Sequence, residues 1–384
     1  MAYLSVAAVL LLFAPALVYR HTALERTDTD GAAVWLGYRR LSRFILTAMV
    51  AGWSAIWDLS RHSHSTHAAW LRSLAPPGAG VLFFWLPPIA GLGLYLVFCY
   101  AADKAVLNLR WSFWDIVRQA WWRMASFVVP LQMVAMGFQD IFDGAGRGIA
   151  WIIGAGLVAR LGVIFLRRAE GIKLHETKSG ELRNRAFSVA RKMNTTIQRV
   201  YIVPAGKGHL TNAYGMSRAI GVTDNLGKYL TRPEVDDVIA HEVAHVKHRH
   251  GLKRSLFAIA LFSAMTLVLF RLPNGIRAWK PVLDLLVIFA PVMAFYFLSR
   301  RFEYAADREA VKFTGDPETA IRALLSLYQV SAVPIRCNRF LELFQTHPAL
   351  GRRARAIGRA GQLPAQRVAD ILRDAIISKG AVSD

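Results

Sequence analysis

The sequence predicts a mostly α-helical polytopic membrane protein with about seven transmembrane helices and one small α+β lobe. Of its 384 residues, 54% are hydrophobic, and the mean hydropathy of +0.31 is too apolar for an ordinary soluble chain. Seven apolar stretches reach or approach the length that a helix needs to cross a bilayer. Residues 167–254 have a different composition, because polar and β-like segments alternate there.

The apolar stretches define the predicted domain organisation. They lie at about 3–19, 44–58, 80–101, 124–139, 148–166, 255–271 and 282–298. No basic residue precedes the first stretch, so we expect an uncleaved span there and not a secretion signal. The resulting parts are a membrane domain of about five spans, a lobe, two further spans and a helical C-terminal part, at 1–166, 167–254, 255–299 and 300–384.

The basic residues indicate membrane flanks. The formal net charge of +21 is spread along the chain beside apolar stretches, which argues against nucleic-acid binding. Lys and Arg are more frequent in 20–43 and 102–123 than in the alternate loops, so we expect the lobe on the cytoplasmic side. The Arg-heavy, Ala- and Gly-rich usage favours a bacterial inner membrane, with the ER membrane as the alternative. The two cysteines, Cys99 and Cys337, form no CxxC, which excludes a thiolate metal cluster.

Local signals within the lobe predict three strands and a helix. The segment "NTTIQRVYIVP" alternates like a strand up to Pro204, and "HLTNAYGMSRAIGVTDNLG" contains two short strand-like pieces separated by glycine turns. The segment "TRPEVDDVIAHEVAHVKHRH" reads as a helix. Thr231 and Glu234 form its capping box, and Pro233 lies in the first turn, where proline is tolerated.

The predicted helix carries the motif H-E-x-x-H. His241 and His245 are four residues apart, so both imidazoles lie on one helix face and can reach a single metal ion. Glu242 can then act as the general base toward a water activated by zinc. The alternative is a charged helix whose histidines face solvent, but the surrounding valines and isoleucine predict a buried, rigid helix.

A third metal ligand is expected downstream. Position 251, where a metzincin would have its third histidine, is Gly251, and His248 and His250 are expected to be solvated or interfacial. In "SRRFEYAADREAVKF", Glu303 and Asp307 are spaced i, i+4 on the helix that continues from the last apolar stretch. Glu303 would complete a His₂Glu site, unless the segment is simply a charged surface helix.

Four sequence elements in order resemble a known family. "HEVAH" is followed, after two hydrophobic segments, by "EYAAD"; "LTNAYGMSRAIGVTDNL" precedes them and "THPALGRRARAI" follows. Over roughly 185–360 the chain resembles the zinc membrane endopeptidases that include the CAAX prenyl proteases and the HtpX-type quality-control proteases. Seven predicted spans favour the CAAX prenyl protease branch, since HtpX-type proteins have fewer spans before the motif.

The resemblance implies a gluzincin-like lobe that binds one Zn²⁺ per chain and hydrolyses peptide bonds. The metal ligands would be His241, His245 and Glu303, with Asp307 supporting a ligand histidine. The remaining roles would fall on Glu242 as general base, on His347 as donor to the developing oxyanion, and on Asn212, Ala213 and Arg353 in substrate binding.

The sequence also predicts binding partners and leaves two alternative functions open. We expect a peptide or protein substrate, lipid-modified or not, together with membrane lipids, and no nucleic acid. One alternative is a membrane scaffold or transporter whose structural zinc takes His248 or His250 as a fourth ligand. Another is a regulator that binds anionic lipids through its basic faces.

Overall fold

The computed structural model describes residues 96–97, 99–104, 111–142, 144–170, 174–204, 211–270, 280–330, 339–343 and 345–380. Two long helices come first: α1 (Phe113–Phe142) and α2 (Arg147–Ala169). The lobe follows with β1 (His175–Glu176), α3 (Glu181–Lys192), β2 (Arg199–Val203), β3 (Ala213–Gly215), β4 (Ala219–Thr223), α4 (Leu226–Tyr229) and α5 (Arg232–Lys247). The remaining helices are α6 (His250–Phe270), α7 (Lys280–Thr314), α8 (Pro317–Val330), α9 (Arg339–Leu343), α10 (Leu350–Ala360) and α11 (Ala365–Gly380).

The described strands form one four-stranded mixed sheet in the order β1-β2-β4-β3. β2 and β4 run parallel, with Val200 opposite Ile220, and β3 returns antiparallel along β4. The three strands predicted from alternation and glycine turns are therefore confirmed, while β1 and α3 were not predicted. Because β3 lies at the end of the order, one of its edges has no strand beside it in the described sheet.

Helix α5 is the centre of the lobe core. Glu234 accepts hydrogen bonds from the Thr231 backbone N–H (2.7 Å) and hydroxyl (2.9 Å), so the predicted capping box is present. Ile239 and Val243 are fully buried against β4, α3 and α7. On the facing side of α7, Ala306 and Ala310 are also buried. Their small side chains let the two helices approach closely.

The helices outside the lobe expose much apolar surface. α2 carries Ile149, Ile153, Leu157 and Leu161 on its exposed side, and α6 similarly exposes Leu256 and Ile259. Such continuous apolar faces need another apolar phase to cover them. Within the described ranges, α2 is the one helix that meets the length and composition expected of a membrane span.

The predicted spans relate to the structure as follows. The fourth to seventh stretches fall within α1, α2, α6 and α7, and α1 extends well beyond the short stretch predicted for it. The first two spans and most of the third lie outside the described residues, so the count of seven stays a prediction. The C-terminal part is helical where it is described, and α7 continues unbroken from the seventh stretch past Asp307, as predicted.

Helices α1 and α2 pack through small residues. A Cβ at Gly162 would lie 2.6 Å from the Ser126 Cα, and one at Gly137 would lie 2.8 Å from the Gly148 carbonyl oxygen. Packing through glycine and serine is the usual way in which membrane helices approach each other closely. By contrast, a Cβ at Gly156 would meet no atom within 4 Å.

We expect Gly162→Val to weaken the α1–α2 pair, because the new side chain overlaps the Ser126 backbone. The expected loss is about 1–3 kcal/mol of stability, measured as thermal unfolding of the detergent-purified protein. Gly156→Val is the matched control on the same helix and should unfold like wild type. Equal losses in the two variants would contradict this packing.

Candidate metal centre

Helix α5 presents both histidines of the H-E-x-x-H motif to one point. The His241 and His245 side chains are 14% and 16% exposed, and their Nε2 atoms lie 3.2 Å apart. His241 Nδ1 lies 2.9 Å from Asp307 Oδ1 and donates to it, so the Nε2 lone pair is available to a metal. The i, i+4 spacing on a buried helix is what brings the two rings together.

Helix α7 adds the third donor. Glu303 Oε2 lies 3.6 Å from His241 Nε2, and Glu303 Oε1 lies 3.5 Å from His245 Nε2. Zinc with ligands at about 2.0–2.1 Å and tetrahedral angles separates neighbouring ligand atoms by about 3.3 Å. The three observed separations fit that value, and the three side chains form a group that can hold one metal ion. The residues present therefore fit zinc.

A buried ion-pair network supports these ligands. Arg353 binds Asp307 through two hydrogen bonds, Nε to Oδ2 at 2.9 Å and Nη2 to Oδ1 at 2.7 Å. Its Nη1 also lies 3.6 Å from Glu303 Oε2. Burial disfavours ionised Asp307, but Arg353 and His241 overcome this effect and lower the pKa of Asp307 to about 2. Asp307 is therefore an ionised acceptor that orients His241.

The same carboxylates attract positive charge to the site. Burial raises the pKa of Glu303, but His347, His241 and His245 together hold it well below its usual value. Burial also disfavours charge on His241, yet Asp307 and Glu303 raise its pKa to about 10. Ionised Glu303 faces the point where the donors converge, and ionised Asp307 lies on the far nitrogen of the His241 ring. A cation there is electrostatically favoured.

Glu242 is held beside the metal position by the edge of the sheet. Its Oε2 accepts a hydrogen bond from the Gly215 backbone N–H at the end of β3. A Cβ at Gly215 would lie 3.0 Å from the Glu242 carbonyl oxygen and 3.2 Å from the His245 Cβ. A glycine is therefore needed for β3 to lie this close to α5.

The substrate-binding candidates of β3 line the same cavity. The Asn212 side-chain oxygen accepts the Ala213 N–H at 2.9 Å, and the Asn212 backbone is bonded to Thr223 of β4. Asn212 and Ala213 share a cavity of about 1140 Å³ with His241, Glu242 and Glu303. The cavity continues to Tyr296 on α7 and Leu252 on α6. All the residues predicted for the site are thus within or beside one cavity.

His347 and Arg353 both reach Glu303, but in different environments. His347 Nδ1 lies 2.9 Å from Glu303 Oε2, and its side chain is 59% exposed to the cavity. Arg353 is 8% exposed and its guanidinium is engaged by Asp307, so its contacts are those of a support for the metal ligands. Its role in substrate binding, like that of His347 in oxyanion stabilisation, stays a prediction.

The structure corrects the expectation for one histidine and adds two residues that the sequence did not indicate. His250, expected to be solvated or interfacial, is 5% exposed, and its Nδ1 lies 2.9 Å from His245 Nδ1.

Asp237, one turn before His241, is buried, and burial raises its pKa to about 7. Gly215 was missed because its importance depends on a contact between β3 and α5. The spacing of His245 and His250 was visible in the sequence.

Arg353→Met should destabilise the protein strongly, because it leaves the Asp307 carboxylate buried and uncompensated. A loss of about 3–5 kcal/mol is expected in denaturant or thermal unfolding. Arg355→Met, at an exposed position on the same helix α10, should change stability by less than about 0.5 kcal/mol. Similar losses in both variants would show that the buried ion pair is not the cause.

Comparisons with known proteins agree with this geometry. Residues 176–360 match the model of peptidase family M48. A protein named Protease HtpX homolog from Campylobacter concisus (strain 13826) is 26% identical over 281 residues, covering 62% of this chain and 96% of the relative. A Pyrococcus furiosus protein of the same name is 29% identical over 212 residues, covering 46% of this chain and 72% of the relative.

A solved structure shows a similar fold. The crystal structure of S. mikatae Ste24p superposes with a TM-score of 0.52 at 15% identity, covering 92% of this chain and 98% of that chain. At this identity the likeness concerns the fold alone. The family model covers the H-E-x-x-H helix and the segment with Glu303. Residues 176–360 thus match peptidase family M48, and this match together with the HtpX-named relatives supports a place among the membrane metalloproteases of the HtpX type.

Proposed function

We propose that this protein is an integral-membrane zinc metalloendopeptidase that cleaves extended peptide segments at the membrane surface. The observation that carries the proposal is the convergence of His241, His245 and Glu303 at tetrahedral ligand separations, with Glu242 beside them. Among the described residues this group contains three side chains, which is the number typical of a catalytic site that keeps one position open.

The chemistry divides between the metal and the chain. Zinc held by these ligands would activate water at neutral pH and polarise the scissile carbonyl. Glu242 has one carboxylate oxygen fixed by the Gly215 N–H, so its other oxygen, Oε1, can accept the proton of the attacking water and pass it to the leaving amine. His347 donates from Nδ1 to Glu303, so in its imidazolium form, which carries a proton on each ring nitrogen, Nε2 can donate to the developing oxyanion.

The open edge of β3 suits an extended substrate. The backbone groups of Asn212 and Met216 form hydrogen bonds with β4. Successive residues of a strand point their N–H and C=O groups to opposite sides, so those of Ala213 and Gly215 point to the edge of β3 that faces away from β4. An added strand could pair with the Ala213 and Gly215 carbonyl oxygens while lying beside Glu242. Backbone pairing of this kind recognises an extended conformation with little dependence on side chains.

The membrane placement follows from the helices that carry the site. α6 begins at His250 and runs into an apolar stretch that exposes Leu256 and Ile259, and α7 reaches Glu303 from an apolar stretch in which Phe297 is exposed. We propose that the spans anchor the lobe at the cytoplasmic side of a bacterial inner membrane. Substrates would be membrane-associated or unfolded proteins. The resemblance to the CAAX prenyl proteases makes prenylated peptides a further candidate substrate class.

A scaffold with structural zinc is the competing function. That function requires a fourth protein ligand, for which His248 and His250 were the candidates. In the structure His250 contacts the far nitrogen of His245, and His248 Nε2 lies 3.9 Å from Glu309. Neither contact completes the metal position, so the geometry favours the enzyme.

Replacement of Glu242 by Gln should abolish proteolysis without removing the metal. The amide keeps an oxygen for the Gly215 N–H but cannot accept a proton, so casein cleavage should fall by about 10²–10⁴-fold. Zinc content, measured on the same detergent-purified samples, should remain one per chain, and a chelator should stop the wild-type reaction. Glu309→Gln, which changes an acid outside the cavity, is the matched control and should keep its activity.

The competing function predicts a different result. Wild-type and Glu242→Gln samples would then behave alike toward casein and toward prenylated peptides, while each retained one zinc. That combination would contradict the enzyme proposal.

Gly215→Ala should reduce turnover while leaving zinc in place. The added methyl lies 3.2 Å from the Glu242 carboxylate, so the base must move by a few tenths of an ångström from its position. We expect kcat/KM to fall by about tenfold to hundredfold. A Cβ at Gly227 meets no atom within 4 Å, and Gly227→Ala should leave kcat/KM unchanged. Full activity of Gly215→Ala would argue against the assigned position of β3 beside the base.

A further inference from the structure

The sharp turn after α5 places His250 against a metal-ligating histidine. α5 ends at Lys247, Arg249 adopts a left-handed conformation with φ 50°, and α6 begins at His250. The reversal brings His250 Nδ1 to 2.9 Å from His245 Nδ1, with the two rings nearly perpendicular at 76°. His250 is 5% exposed, so this contact is made away from bulk water.

The ring of His250 is fixed by its neighbours. It stacks on Phe302 with ring centroids 4.3 Å apart and an interplanar angle of 7°. On the other side it stacks more loosely on His248, at 5.5 Å and 23°. Phe302 is adjacent in sequence to Glu303, so helix α7 both supplies a metal ligand and holds the ring that contacts another.

The geometry determines where the protons lie. His245 Nε2 faces His241 Nε2 and Glu303, so it must be unprotonated to bind a metal. The proton of neutral His245 is then on Nδ1, which donates to His250 Nδ1. His250 must accept at Nδ1 and carry its own proton on Nε2.

We propose that His250 is a positioning residue that fixes the tautomer and the ring orientation of His245, extending the metal motif to H-E-x-x-H-x-x-x-x-H. The proposal rests on the proposed zinc site. Outer hydrogen-bond partners of ligand histidines typically account for 10–100-fold in metal affinity. Asp307 does this for His241 through a carboxylate, and His250 does it for His245 through a neutral imidazole.

Two substitutions separate the hydrogen bond from the stacking. His250→Phe keeps a ring on Phe302 and removes the acceptor, whereas His250→Asn keeps an oxygen acceptor near the Nδ1 position and removes the ring. On the full-length detergent-purified protein, zinc affinity is measured by competition with a chromophoric chelator. Ligand geometry is followed by the visible spectrum of the Co²⁺-substituted protein. Thermal unfolding of the metal-free form reports the fold.

We expect His250→Phe to bind zinc about 10–100-fold more weakly than wild type, with an altered Co²⁺ spectrum. His250→Asn should stay within about threefold of wild type. His175→Ala, which removes an exposed histidine of β1 outside the metal group, should be indistinguishable from wild type. Wild-type affinity and spectrum in His250→Phe would overturn the proposal. So would weakening in His250→Asn alone, since stacking would then be the operative contact.

These measurements need no turnover. If the wild-type protein cleaves nothing but the zinc affinities follow the expected order, the proposed activity fails and the role of His250 survives. If the wild type and Glu242→Gln behave as the enzyme proposal requires while His250→Phe keeps full zinc affinity, the positioning role fails alone.

Discussion

The close packing of α7 against α5 is the constraint on which the candidate metal centre depends. Ala306 and Ala310 are buried at this interface, and their small side chains allow Glu303 and Asp307, on the same stretch of α7, to reach the histidines of α5. A larger residue at either alanine would separate the helices, and protein interiors accommodate even one extra methylene poorly. The ligand separations of 3.2–3.6 Å therefore follow from helix packing as much as from the ligands themselves.

Charge balance explains why the supporting residues are as buried as the ligands. Glu303 and Asp307 are both held ionised inside the lobe, while Arg353 supplies one compensating charge. Buried carboxylates are costly unless they are paired, so a second positive charge is favourable where the donor atoms converge. The same network holds Asp307 in place, and Asp307 in turn orients His241. Support for the metal and stability of the lobe thus depend on the same contacts.

The parts of this centre that are local in sequence could be predicted, and the parts created by tertiary contacts could not. Three local patterns each predict a structure from a few neighbouring residues. They are the capping box of Thr231, the alternation in β2 and the i, i+4 pairs of α5 and α7. The resemblance to the zinc membrane endopeptidases supported Glu303 as a predicted ligand. No local signal reveals that Gly215 contacts Glu242, because β3 and α5 meet only in the fold. His250 was misjudged because its burial depends on the left-handed Arg249 and on Phe302 of a distant helix.

The height of the site above the membrane would be set by α6 and α7, which join the lobe to the sixth and seventh predicted spans. Glu303 lies five residues beyond the apolar stretch that ends at position 298, which at 1.5 Å per residue corresponds to about 7.5 Å. His250 lies five residues before the stretch that begins at position 255, which corresponds to the same height, and the exposed Leu252 lies even closer to it. With the predicted spans at 255–271 and 282–298, these two helices would place the candidate metal centre within about two helical turns of the apolar layer. Under the proposed function, a folded domain on the substrate would be obstructed at this distance, whereas an extended segment emerging from the membrane could lie along the open edge of β3.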